Sequence, residues 1–165
     1  MADWGNFYTL VGTVAGTLIG LIFVVITFSS DRKIEGDEHR TRFFVTPLLV
    51  YFTTLLLLSL ALAAPIEDQV RAVLLGVLGC AGFAYVTDLA MTSRRRNDIE
   101  EYEVVWDILL PIAAYILIAV AGTAWALSAS FADEVAAIAA AALLIAAIRK
   151  SWIITLTIAG RRKRK

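Results

Sequence analysis

Long apolar runs alternate with short charged segments over nearly the whole chain. Five runs stand out: Phe7 to Phe28, Phe43 to Ala64, Val70 to Met91, Val104 to Leu127 and Val135 to Ile148. A helix needs about 20 mostly apolar residues to cross a bilayer, and the first four runs have that length. No strand-like alternation appears, and lipid admits only helices or closed barrels. The pattern predicts an all-α polytopic membrane protein, a five-transmembrane-helix bundle in one transmembrane domain spanning residues 1–165. The connecting segments are too short for a separate soluble domain. Ala64-Pro65-Ile66-Glu67-Asp68 reads as a tight turn that makes the second and third spans antiparallel neighbours.

The fifth run is shorter than the others and alanine-rich. Arg149-Lys150 follows it, and then Ser151 to Ala159 is apolar again. Either the helix leaves the membrane at Arg149, or it is one long helix with the charges buried against protein. Two cations within hydrocarbon cost about 2.5–3.5 kcal/mol each on an insertion scale. That cost favours an exit near Arg149 and an amphipathic, headgroup-facing continuation.

Composition agrees with this pattern. The hydrophobic fraction is 59%, above the roughly 45–50% of soluble domains, and mean hydropathy is +0.76. Formal net charge is zero, but the charges are sorted along the chain. Arg32, Lys33, Arg40 and Arg42 follow the first run, and Arg94, Arg95 and Arg96 follow the third. Arg149, Lys150 and the tail at residues 160–165 (Arg161, Arg162, Lys163, Arg164, Lys165) follow the fifth. The other side holds Asp3, Glu67, Asp68, Asp133, Glu134 and a lone Arg71. By the positive-inside rule the N-terminus lies outside and the basic tail is cytoplasmic. The acidic flank of the first run reads as a retained helix rather than a cleaved leader. Trp4, Tyr8, Tyr102, Trp106, Trp125 and Trp152 fall near span ends, as in aromatic belts. Asp98, Glu100, Glu101 and Glu103 suit the positive end of the fourth helix.

The first run carries the strongest local pattern. Gly12, Gly16 and Gly20 repeat every fourth residue, a spacing that lets another backbone approach. Beside them lie Asn6, Thr9, Thr13 and Thr17, with Thr27 further along. Two readings follow. The helix packs tightly within its own chain, each Thr hydroxyl bonded to the backbone one turn earlier; or it packs against its own copies, with the hydroxyls facing water. A second small-residue row, Ala72, Gly76, Cys80 and Ala84, runs through the third span and leads to Asp88. On that spacing Asp88 should point into protein.

Asp107 sits at a depth similar to Asp88. Pro111, four residues on, cannot donate to the Asp107 carbonyl. Arg149 and Lys150 should reach the same level, so Asp88, Asp107, Arg149 and Lys150 read as an ion-pair cluster or as an ion or proton site. With one cysteine and one histidine, Cys80 and His39, a zinc or haem site within the chain is not expected, and no cofactor is implied. There is no phosphate-binding glycine loop, nucleophile elbow or HExxH, which points away from an enzyme. The basic clusters are explained by topology and anionic lipid rather than by nucleic acid.

The segment from Trp4-Gly5-Asn6-Phe7-Tyr8 to Gly20-Leu21-Ile22-Phe23-Val24 resembles the first helix of many small uncharacterised bacterial membrane proteins. The helix count and size invite comparison with the TspO family, but its dense Trp and Pro motifs are missing. The expected function is a small homo-oligomeric channel or pore conducting inorganic ions, lined by the first helix at Asn6, Thr9, Thr13 and Thr17, in a bacterial inner membrane. The alternative is a non-transporting accessory subunit of a larger membrane complex.

Overall fold

The computed structural model describes residues 4–30, 38–95 and 105–161, and among these the regular secondary structure is all helical, with turns at 64–67 and 127–131. Five helices follow one another: α1 (Trp4–Ser30), α2 (Glu38–Ala63), α3 (Asp68–Arg95), α4 (Leu110–Ala126) and α5 (Ala132–Arg161). A single π-helical turn, Val105–Leu109, leads into α4. The basic and acidic residues expected at Asp3, Arg32, Lys33, Arg96, Asp98, Glu100, Glu101 and Glu103, together with Tyr102 and residues 162–165, lie outside the described residues.

Four helices contain stretches long and apolar enough to cross a membrane: Trp4–Val24, Thr46–Ala63, Asp68–Thr92 and Trp106–Ala126. The fifth helix is not among these four. It opens on Asp133 and Glu134 and carries Arg149 and Lys150 in its interior. The continuation beyond Arg149 is settled differently from the expectation. α5 runs unbroken through Arg149 and Lys150 to Arg161, with Lys150 buried and Arg149 half-buried against protein. Both cations find a carboxylate and Arg149 finds an aromatic face, which offsets the cost that favoured an exit.

α2 is central, packed against α1, α5 and, over a smaller contact, α3. The tightest pair is α3 with α4. Ala72, Leu75, Gly79, Gly82 and Val86 form the buried face of α3. Their alternating steps of three and four hold one side of a helix of 3.6 residues per turn. A Cβ at Gly79 would lie 2.6 Å from the Ala119 nitrogen, and one at Gly82 would strike the Tyr115 ring. A Cβ at Gly122 would lie 2.8 Å from the Gly76 nitrogen. Glycine therefore permits backbone-to-backbone contact along this crossing.

The expected row of small residues on α3 is only partly right. Ala72 is buried and Gly76 half-buried, but Cys80 and Ala84 are exposed. Asp88 at the end of the row is exposed too, contrary to the expectation that it points into protein. A strict four-residue step advances about 400°, so each step drifts about 40° around the helix. By Asp88 the row has turned about 160° from Ala72, onto the opposite side.

The turns are closed by specific bonds. Leu127 and Ser128 end α4 in a Schellman arrangement: Ser128 N–H donates to the Trp125 carbonyl at 3.0 Å, and Ala129 N–H to Ala124 at 2.9 Å. Ser128 holds φ 53°, the position glycine usually occupies. At the end of α2, Arg71 on α3 supplies further donors, the Ala64 carbonyl already accepting the Ile66 N–H at 2.9 Å. Its Nε donates to the Ala61 carbonyl at 3.2 Å, Nη2 to Ala64 at 3.1 Å, and Nη1 to the Asp68 carboxylate at 2.8 Å. Its guanidinium also lies 4.4 Å from the Trp125 ring centre. The lone cation of this end thus ties three helices together. Tyr8 is buried, donates to the Asp133 carbonyl at 2.8 Å and fixes α1 to the start of α5. Burial raises the Asp133 carboxyl above its ordinary value; Glu134 adds to the rise and Arg71 opposes it.

Candidate functional site

The face of α1 turned away from the rest of the chain is the first candidate. Tyr8, Val11 and Ala15 form its buried edge. Asn6, Thr9, Thr13, Gly16, Thr17, Gly20 and Thr27 are all exposed. At about 100° per residue these positions gather on the side opposite Val11 and Ala15. Only 17% of the Trp4–Val24 window is buried, against 50% for Thr46–Ala63 in α2, so α1 sits at the edge of the fold with most of its circumference uncovered.

The chemistry of that uncovered face is unlike that of the other helices. α3 exposes Val70, Val73, Leu74, Val77 and Phe83, and α5 exposes Ile138, Ile145 and Ile148. Those surfaces suit hydrocarbon. The outward arc of α1 instead presents hydroxyls, one amide and glycines, interrupted by the exposed Val24 toward its C-terminal end, with Leu10, Leu21 and Phe23 on its flanks. Each hydroxyl donates to the carbonyl one turn earlier: Thr9 to Gly5, Thr13 to Thr9 and Thr17 to Thr13 at 2.8 Å, and Thr27 to Phe23 at 2.9 Å. The donors are engaged, while the oxygen lone pairs remain available outward.

The glycine row on α1 divides. Gly12 faces α2, where a Cβ would meet the Ser59 Cβ at 3.0 Å. Gly16 and Gly20 face open space. The same 40° drift per four-residue step carries the row from the internal contact to the outer surface.

The second candidate lies at the opposite end of the bundle from Arg71. The π turn before Pro111 widens the helix where Pro111 offers no N–H to the Asp107 carbonyl. Asp107 stands in that turn. Arg149 Nη1 lies 3.7 Å from one of its carboxylate oxygens and Lys150 Nζ lies 3.8 Å from the other. The Arg149 guanidinium is 5.1 Å from the Trp106 ring centre. Three of the four residues expected in a charge cluster are therefore together. Asp88 is not paired with the other three, because it projects from the exposed side of α3.

One polar group was not foreseen. Thr54 on α2 and Tyr115 on α4 share a buried hydrogen bond of 3.1 Å, and the Thr54 hydroxyl also lies 2.9 Å from the Val50 carbonyl. The Tyr51 ring lies 6.5 Å from Tyr115. Aromatics deep inside spans, away from the ends where a belt would place them, were the available signal. Among the described residues no group of three or more His, Cys, Asp or Glu side chains could hold a metal ion.

No protein-family profile, curated protein or solved structure matches this chain.

Proposed function

We propose that this chain is a small homo-oligomeric membrane channel whose conduction path runs between copies along the outward face of α1. The observation that carries the reading is the inversion of α1: the side farthest from its own chain is its most polar. A helix facing lipid gains nothing from such an arc. A helix lining an axis between copies presents hydroxyl oxygens to water and partly hydrated ions. In this reading Asn6, Thr9, Thr13 and Thr17 form successive polar rings, and the open positions at Gly16 and Gly20 let neighbouring backbones close around the axis. The chain crosses a bacterial inner membrane five times, with the N-terminus outside. α5 makes the fifth crossing by sheltering Arg149 and Lys150 beside Asp107.

The engagement of every described α1 threonine hydroxyl by its own backbone favours a second reading. Such hydroxyls need no water, so the same arc also suits dry contact with another protein's helix, as in an accessory subunit. Native mass spectrometry separates the two. A symmetric ring of copies fits the channel, and a monomer fits the accessory role.

Conduction itself is tested in a planar bilayer. Thr13→Leu with Thr17→Leu should lower single-channel conductance about tenfold or more, because a polar lining becomes a hydrophobic constriction. The exposed positions leave folding and assembly intact. Purified protein that passes no current at any voltage or pH would overturn the reading.

A further inference from the structure

We infer that the path along α1 selects alkali-metal cations over anions. The inference rests on the channel reading and deepens it. α1 carries no charged residue of either sign from Trp4 to Ser30, so its lining acts on an ion through dipoles alone. The direction of those dipoles is set by the hydrogen bonds. Thr9, Thr13 and Thr17 are exposed, and each donates its hydroxyl proton to the carbonyl one turn earlier at 2.8 Å. A hydroxyl has one proton and two lone pairs. With the proton turned back along the helix, what faces the axis is oxygen. Beyond the first turn the backbone N–H groups are used in the helix ladder and add no outward donor. Asn6, at the start of the arc, carries its only side-chain N–H groups. A partly hydrated cation is stabilised by converging oxygens, whereas an anion needs converging N–H or O–H donors. Four residues of helix rise about 6 Å, so the three hydroxyls make successive oxygen rings at that spacing.

The charge at the end of the bundle where α1 begins works in the same direction. Glu67, Asp68 and Glu134 are exposed there, and the bond from Tyr8 to the Asp133 carbonyl holds the start of α5 beside α1. Arg71 is the one cation at that end among the described residues, and its guanidinium is bonded to Asp68 and to two α2 carbonyls. An excess of negative charge beside a mouth concentrates cations before they enter. These carboxylates stand outside the lining, so salt screens their effect and leaves that of the hydroxyl rings.

The test records the full chain in planar bilayers under a potassium chloride gradient, with the reversal potential giving the permeability ratio. Potassium should permeate at least about tenfold more readily than chloride. Thr13→Asn puts outward N–H donors into the middle ring and should lower that ratio about threefold or more. Glu134→Gln should lower potassium conductance about twofold in dilute salt and lose that effect at about 1 M, where the Debye length is about 3 Å. Current with a ratio near one, or with chloride preferred, would overturn the inference while leaving the channel standing. A cation preference that Thr13→Asn does not alter would also overturn it, since the selectivity would then lie off the hydroxyl rings. Absence of any current would remove the channel and the inference together. The ratio measured on the unaltered chain decides the case even where a variant fails to assemble.

Discussion

Gly79→Val should cost about 3 kcal/mol or more and leave little folded protein, whereas Cys80→Val, one residue along, should change stability by less than about 0.5 kcal/mol. The contrast follows from what each side chain would meet. A Cβ at position 79 lies 2.6 Å from the Ala119 nitrogen, 2.8 Å from its Cβ and 2.9 Å from its Cα. Two of those atoms are backbone, so no rotamer change makes room and α3 must move off α4. That crossing is the closest in the fold, held also by Gly82 against Tyr115 and Gly122 against Ala72 and Gly76. A domain stable by about 5–15 kcal/mol has little margin for separating its tightest helix pair. Cys80 is exposed, and valine there enlarges a surface that already carries Val73 and Val77. Thermal unfolding in detergent, read as the loss of the monodisperse species, measures both variants. Equal midpoints would contradict the packing described.

Arg71→Leu should destabilise the fold by about 3 kcal/mol, the second large effect. The substitution strips donors from the Ala61 and Ala64 carbonyls and from the Asp68 carboxylate, and removes the cation from Trp125. Hydrogen bonds to charged groups contribute about 1.5–3 kcal/mol each, and the Ala61 carbonyl has no helical donor because Pro65 lacks an N–H, whereas the Ala64 carbonyl keeps the Ile66 N–H at 2.9 Å. Arg71→Lys should recover less than half of the loss, since an ammonium cannot fork to two carbonyls and a carboxylate while stacking on indole. The deficit also depends on pH through Asp133. Its folded carboxyl titrates above the ordinary value, so ionised Asp133 costs stability at pH above that raised value and costs nothing once the carboxyl is protonated in both folded and unfolded chains. Arg71 partly offsets this cost by opposing the rise. The Arg71→Leu deficit should therefore be largest near neutral pH and shrink as pH falls below the carboxylate range. A deficit that grows in acid would remove Asp133 from the explanation.

Helix identity was legible in the sequence because hydrophobic runs of bilayer length have few other uses. The cluster of Asp107 with Arg149 and Lys150 was legible too, since three charges at one depth have each other as partners. Contact faces were harder to read. Rows of small residues drawn every fourth position look straight on paper, yet they wind around the helix. Gly12 therefore contacts α2 while Gly20 does not, and Asp88 left the buried side. The α3 contact surface was carried instead by Gly79 and Gly82, at spacings that alternate three and four. Arg71 looked like an exception to the charge pattern; its role depends on the turn after Ala63 bringing α3 back under the last carbonyls of α2. The course of α5 past Arg149 turned on whether partners waited for the cations, and a single-helix estimate of insertion cost does not contain that information.

The central claim is that the polar arc of α1 meets another copy of this chain inside the membrane. Cross-linking in native membranes tests it most directly, with Thr17→Cys introduced into a Cys80→Ser background and mild oxidation applied before solubilisation. Covalent dimers should form in high yield at position 17 and be absent when the cysteine is placed at Val73 on the apolar outer face of α3. A Thr17→Cys chain that stays monomeric under oxidation, while its thiol reacts fully with a lipid-soluble maleimide, would mean that α1 faces hydrocarbon.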